Sequence, residues 1–257
     1  MASSRNIIAL KSILHKVIQR FMRILVQTLV PPAITFSLYF VIFGSLIGSR
    51  IGQMGGFDYM SFIVPGLIMM SVITNSYSNV ASSFFSAKWQ RNVEEMLVAP
   101  VPNWVIVAGY VGGGMARGML VGSIVTFVAM FFVDIQIHNI WVIIATVSLT
   151  SATFALGGLI NAIFAGSFDD ISIIPTFILT PLTYLGGVFY SISLLPEFWQ
   201  VVSKANPILY MVNTFRYGIL GVTDIDVAYA FTMIVGFTVA LFMYSLHLLN
   251  KGKGIRS

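Results

Sequence analysis

Charge is absent from most of this chain, and where it is absent it is absent for long stretches. No Asp, Glu, Lys or Arg occurs between Arg23 and Arg50, Asp58 and Lys88, Asp134 and Asp169, Asp170 and Glu197, or Asp226 and Lys251. Trp104 to Val133 is interrupted by Arg117 alone. About 20 apolar residues suffice to cross the hydrocarbon core of a bilayer as a helix. Each stretch is long enough, and a backbone in lipid must satisfy its own hydrogen bonds. The sequence therefore predicts an all-α membrane protein with six transmembrane helices, at about 24–48, 59–87, 104–133, 140–165, 171–190 and 227–249. Composition agrees: 57% of residues are hydrophobic and 9% charged, against about 25% charged in soluble domains. No polar stretch is long enough for a second domain, so residues 1–257 read as one transmembrane domain.

Lys and Arg set the expected orientation. With both termini in the cytoplasm, the inner side holds Arg5, Lys11, Lys16, Arg20, Arg23, Lys88, Arg91, Lys251, Lys253 and Arg256. The outer side holds Arg50, Lys204 and Arg216. Trp89 and Trp104 then fall at the inner interface, Trp141 and Trp199 at the outer one, where indoles prefer to sit. The net charge of +5 is accounted for by this asymmetry, and too little polar surface exists to suggest nucleic-acid binding.

The opening "RNIIALKSILHKVIQRFMR" carries cations throughout, so it lacks the apolar core of a signal peptide. Ile7, Leu10, Leu14, Val17 and Phe21 recur at helical spacing, with Lys16, Gln19, Arg20 and Arg23 on another face. This predicts a basic amphipathic helix over 1–23 lying in the inner interface. A cytoplasmic extension of the first span is the alternative. Pro31-Pro32 is expected to kink that span.

Two segments break the apolar pattern. In "KWQRNVEEMLVAPVPNW", Trp89, Val93, Met96 and Leu97 share one helical face, with Arg91, Glu94 and Glu95 mostly off it. Arg91 can pair with Glu95 at i+4, and Pro100 ends the helix. A short helix over about 88–99, parallel to the membrane, could receive force from a soluble partner. It could equally be an ordinary interfacial loop, and periodicity does not choose between the two. The second segment, about 193–221, is split by Asn206-Pro207, because a residue before proline avoids helical backbone. Its halves are too short to cross, so it reads as an external re-entrant helical hairpin, or as a cap packed on the bundle.

Catalytic signals are missing. There is no cysteine, no Ser/His/Asp set and no Gly-x-Ser-x-Gly. His15, His138 and His247 are unclustered and predict no metal site. The chain is expected to be no enzyme and to hold no cofactor. Arg117 is the one charge well inside a span, which by itself suggests function. Yet it lies in the glycine-rich "YVGGGMARGMLVG", where close helix packing and snorkelling give it a structural role.

The strings "VQTLVPPAITFSLYF", "RNVEEMLVAPVP" and "FDDISIIPTFILTPLTYLGGVFYS", followed by "NPILYMVNTFR", resemble the ABC-2 type transporter permeases and are close to their YadH-like branch. Pro196, Pro207, Tyr210 and Arg216 stand at the family's spacing. The resemblance covers nearly the whole chain. It implies the membrane half of an ATP-driven exporter in the inner (plasma) membrane. Two copies would pair, as a likeness to homodimers implies, and two copies of a separate ABC ATPase would dock on them. The chain has no GxxxxGK[ST] loop, so ATP and Mg would bind in that partner. Arg91, Glu94, Glu95, Met96 and Leu97 would belong to the coupling helix. Asp169 and Asp170, in "GSFDD", would make a second contact or cap the next helix. Thr180, Thr183 and Tyr184 would border the translocation path at the dimer interface, or bond between helices. The substrate expected is hydrophobic or amphipathic, drug-, lipid- or glycan-like. The competing reading, a secondary transporter driven by ion gradients, would need paired ionisable groups in mid-membrane, which the sequence does not offer.

Overall fold

A computed structural model describes residues 2–252, apart from the side chains of Ala2, Ser3, Ser45 and Leu97. Lys253 and Arg256, used in the charge count, lie outside the described residues. The chain is mostly helical. Helix α1 (Ala2–Arg23) stops at Ile24, whose ψ of 36° leaves the helical region, so it is not a straight extension of the next element. Helix α2 (Leu25–Tyr39) accommodates Pro31 and Pro32 in its interior. It passes into wider π-type winding at Phe40–Ile47 and ends in α3 (Gly48–Ile51). A tight hairpin follows, with β1 (Gln53–Met54) antiparallel to β2 (Phe57–Asp58). Gly55 and Gly56 turn it, both at positive φ, the backbone that the tightest hairpin turns require.

Helix α4 (Tyr59–Trp89) is the axis of the bundle. The Asp58 carboxylate caps it by accepting from the Met60 N–H at 3.1 Å. Its 31 residues span about 46 Å, so its two ends mark opposite ends of the molecule. It is covered on most sides, chiefly by α6 (Asn103–Ala129) and α7 (Ile140–Phe164). Small residues permit this. A Cβ on Gly158 of α7 would run into the Tyr77 backbone carbonyl. Such close backbone approach is how helices associate where lipid supplies no hydrophobic drive.

Past α7, the Ser167 hydroxyl starts α8 (Phe168–Ile174). Pro175 then disrupts regular winding by its missing N–H. The chain widens to π-type over Pro175–Leu179, where the Thr180 hydroxyl donates to the Pro175 carbonyl at 2.9 Å, and resumes as α9 (Thr180–Leu185). Helices α10 (Glu197–Lys204), α11 (Pro207–Leu220) and α12 (Val227–Lys251) complete the chain.

Among the described residues, five helices are long and apolar enough to cross a membrane: Leu25–Ile51, Tyr59–Trp89, Asn103–Ala129, Ile140–Phe164 and Val227–Lys251. These match five of the expected spans to within a few residues. The stretch expected at 171–190 is not among them. Its helical winding starts earlier, at Phe168, and ends at Leu185. The chain then leaves the helix at Gly186 and Gly187, the latter at φ 72°.

Two apolar clusters form the core. One, around Ile63, Leu67, Met211 and Phe215, fills the half of the bundle near the start of α4. The other, around Phe84, Phe85, Ile106 and Leu159, fills the half near its end. By contrast α2 and α12 leave most of their surface open, presenting Val26, Val30, Ile34 and Leu38 on one and Val235, Val239 and Met243 on the other. In water such stripes would be costly patches. Against lipid tails they are an ordinary outer face.

Candidate functional site

At the end of the bundle where α4 finishes, the predicted charged helix is shorter than its periodicity suggests. Helix α4 runs on to Trp89, and Arg91 takes left-handed backbone at φ 61°. The new helix, α5, is Asn92–Val98 rather than 88–99. That break changes the helical phase. Trp89 therefore does not share the buried face with Val93 and is 64% exposed, whereas Val93 is 1% exposed and Met96 packs beside it. Leu97 lies in α5, with its side chain outside the described set. Arg91, Glu94 and Glu95 are all exposed. Among the described residues no ion pair joins Arg91 to Glu95, because Arg91 sits before the helix and not one turn down it.

Lys88 anchors this turn. Its Nζ donates to the carbonyls of Ile163 at 2.7 Å and Ala165 at 2.8 Å. These belong to the C-terminal end of α7, where carbonyls lack helical partners and a cation is favoured. The turn 166–170 that follows is held against the same place by rings. Phe168 lies 4.8 Å from Phe85 and 5.9 Å from Trp89 between centroids. So the two predicted contact segments, Arg91–Leu97 and Asp169–Asp170, share one end of the molecule.

The two aspartates divide the roles considered for them. Asp170 Oδ2 accepts from the N–H groups of Gly166 at 2.8 Å and Ser167 at 3.0 Å, while the Asp170 N–H donates to the Ser167 hydroxyl. This capping box holds the Asp170 carboxyl below the usual carboxylate range, through the Gly166 N–H first and the Ser167 groups next. Asp169 is exposed, and only its backbone carbonyl is engaged, by the Ser172 hydroxyl.

On the 168–185 stretch, Ile173, Phe177, Thr180 and Tyr184 form one exposed stripe at helical spacing. Thr183 is turned the other way. It is 3% exposed and donates to the Leu179 carbonyl at 2.7 Å.

The opposite end of the bundle holds the second anomalous segment. Pro196 precedes α10 and is exposed. Asn206 caps α11 by accepting from the Ile208 N–H at 3.0 Å, and its amide donates to the Leu182 carbonyl. Pro207 opens α11, where the missing N–H costs nothing. The Tyr210 hydroxyl reaches back to the Lys204 carbonyl and ties the two short helices together. Arg216 is buried, its guanidinium 4.0 Å above the Phe62 ring. It donates to the carbonyls of Phe62 at 3.3 Å and Gly187 at 2.6 Å. It thereby joins α11, α4 and the loop that leaves α9. Nearby, Asp224 accepts from the Ser191 hydroxyl and the Ile192 N–H. A cavity of about 460 Å³ opens between these groups and the β1–β2 hairpin.

Arg117, on α6, is half-buried, and its Nε has no partner among the described residues. No group of three or more His, Asp or Glu able to hold a metal exists among them.

With this geometry in view, comparison with known proteins is informative. Residues 8–220 match the family model described as ABC-2 type transporter. That range includes α5, the 166–170 turn and the α10–α11 pair. The chain belongs to the ABC-2 type transporter family. It is 63% identical to the inner membrane transport permease YadH of Escherichia coli K12, over 97% of this chain and 98% of that protein. It is 24% identical to nodulation protein J of Rhizobium leguminosarum bv. trifolii, over 78% of this chain and 77% of that one.

Two features of this ABC-2 membrane domain escaped the sequence reading. Lys88 was counted only as an inner-side charge. And α4 carries a buried polar seam, including Ser71, Asn75, Ser76, Asn79 and Ser83, with Ser76 against Gly118 of α6, while α7 buries Thr146, Thr150 and Ser151. The signal was present as Ser and Asn at steps of three and four in "SVITNSYSNVASSF". Inside an uncharged span it reads as mere apolar filler.

Proposed function

We propose that this chain is the transmembrane permease subunit of an ATP-binding cassette exporter. It moves a hydrophobic or amphipathic substrate, drug-, lipid- or glycan-like, out of the cytoplasm or inner leaflet. ATP and Mg are bound and hydrolysed by a separate ATPase subunit, present in two copies. The chain sits in the inner (plasma) membrane with both termini in the cytoplasm, and two copies pair as a homodimer. The observation that carries this reading is the α5 end of the bundle. There Arg91, Glu94, Glu95 and Asp169 stand exposed on segments clamped to the bundle core by Lys88 and the Phe85–Trp89–Phe168 rings.

In this reading α5, with Met96 and Leu97 supporting it, is the coupling helix, and the 166–170 turn is a second contact. ATP binding closes the partner subunits, and α5 moves with them as a rigid lever on α4 and α7. The permease pair then opens to substrate on its inner side, and the α10–α11 hairpins yield on the outer side. This is alternating access biased by a ligand in the partner. The stripe Ile173–Phe177–Thr180–Tyr184 borders the path or the second copy, with Thr183 supporting it from within. The 168–185 stretch, with the loop after it, completes a sixth span. The α10–α11 pair is the re-entrant hairpin. Its Pro196 and Pro207 set the two helix starts, and Tyr210 and Arg216 hold it to the bundle.

The test is purification of the tagged chain from its own membranes. An ATP-hydrolysing subunit should copurify, with hydrolysis responding to the reconstituted permease. Glu95→Lys should abolish that response with the permease still folded. If the response survives Glu95→Lys, the assignment of α5 is wrong. If transport persists without the subunit and stops when ion gradients are collapsed, the exporter reading is wrong.

A further inference from the structure

A second cavity, of about 650 Å³ and open to the surface, lies at the α5 end of the bundle. It is bounded by α1, the last turns of α4, the Gln90–Asn92 turn and Tyr110 of α6. Helix α1 supplies His15, Lys16, Arg20 and Arg23 to its wall, and the rest of the lining includes the hydroxyls of Ser12, Ser83, Ser86 and Tyr110. None of the nine Asp and Glu residues lines it.

The basic face is held in place. Helix α1 seats Ile13 on Gly109 and Val17 on Gly113 of α6, where a Cβ would collide with those side chains. The adjoining side of α1 is thereby turned to the cavity, and Val17 itself lines it. Arg20 meets only neutral hydroxyls, Ser86 at 3.2 Å and Ser82 at 3.5 Å. The Ser86 hydroxyl already donates to the Ser82 carbonyl. Arg117 lies two turns beyond Tyr110 on the same face of α6, close enough to Arg20 for the two charges to oppose each other. Its buried Nε has no partner among the described residues. Arg20 and Arg23 sharing one cavity wall with Lys16 and no acidic residue, at the edge of a low-dielectric region, are unfavourable as they stand. A phosphate answers both: it carries the opposite charge, and its oxygens fit the guanidinium fork.

We propose that this cavity is an anion site for a phosphoryl group, with Arg20 and Arg23 of its wall as the two principal ligands and Lys16 beside them. Basic pockets between membrane helices on the cytoplasmic side recognise lipid headgroups in this way. The open side lets acyl chains continue into the adjoining leaflet. The site rests on the cavity and its charges and not on the exporter reading, so its test reads binding and not transport.

The test is native mass spectrometry of the full chain, delipidated in a neutral detergent and titrated separately with phosphatidylglycerol and phosphatidylcholine. Phosphatidylglycerol should bind about tenfold or more tightly than phosphatidylcholine. Arg20→Gln and Arg23→Gln should each erase most of that preference, Arg20→Lys should restore part of it, and Lys204→Gln, on α10 at the opposite end of the bundle, should leave it intact. Displacement of bound phosphatidylglycerol by inorganic phosphate identifies the phosphoryl group alone as the ligand. A retained preference with no displacement identifies the intact lipid. Equal binding of the two lipids by the wild-type chain, which no folding defect can explain, overturns the proposal. So does an undiminished preference in both glutamine variants.

Discussion

The two segments that interrupt the apolar pattern treat charge in opposite ways. At one end, Arg91 in the turn before α5 and Glu94 and Glu95 on α5 are exposed, with no carbonyl or counter-ion holding their side chains among the described residues. At the other, α11 buries Arg216 against two backbone carbonyls and an aromatic face. Both look alike in composition: short, amphipathic and proline-broken. The difference is what the charge does for the fold. Arg216 satisfies the Gly187 loop carbonyl and ties it to α4, so removing it costs stability. The charges in and beside α5 satisfy nothing among the described residues, so removing them should cost only what they do elsewhere.

That contrast can be broken by mutation. Arg216→Met should have the largest effect. It strands the Gly187 carbonyl, removes a charged hydrogen bond to the Phe62 carbonyl and deletes the contact with the Phe62 ring, for about 3–5 kcal/mol. Denaturant unfolding in detergent reads it, and an unchanged midpoint would remove the staple from the account. Gly66→Val should come next. Its Cβ would press on the Val188 backbone, beside the loop that Arg216 holds, and overpacking of this kind costs about 1–3 kcal/mol.

Lys88→Met should cost about 1–2 kcal/mol in the same assay. This would show that within the charged segment one residue behaves like Arg216 and its neighbours do not. Asp170 gives a pH signature. Its folded-state carboxyl titrates below its ordinary value. Its contribution is therefore fully present above the usual carboxylate pKa and is lost as pH falls through the lower folded value. Melting curves across the acid range should show this loss in the wild type and its absence in Asp170→Asn. Smallest of all, Glu95→Lys should leave the midpoint within about 0.5 kcal/mol. A larger shift would mean that α5 holds the fold together as α11 does.

Much of this was legible in the sequence, and the reason is physical. Long charge-free stretches have few alternatives in lipid, so five helix positions follow from where the charges stop. The Asn206-Pro207 break and the Asn206 cap follow from the chemistry of proline and of a short amide. The start of α5 was not legible, because nothing about an arginine announces left-handed backbone. Trp89 was assigned to the wrong face for the same reason. The stretch 171–190 was read too long because its apolar run continues through Gly186-Gly187, although the helix does not. The pairing of Lys88 with the α7 carbonyls depends on residues some 75 positions away. The burial of Arg216 depends on one 154 positions away. Neither separation leaves a local trace. Within the candidate site, the sequence separated neither Asp169 from Asp170 nor Thr183 from Thr180 and Tyr184. Those distinctions are made by which way each side chain faces.

The central claim is that α5 is where a separate ATPase meets this permease. The chain has no cysteine, so Glu95→Cys places a single thiol on α5 and Phe198→Cys places one on the opposite end. Each can be loaded with a maleimide-linked photocrosslinker in native membranes. The account predicts an adduct between Glu95→Cys and an ATP-hydrolysing polypeptide, and none from Phe198→Cys. No adduct at position 95, or equal adducts from both positions, would contradict it.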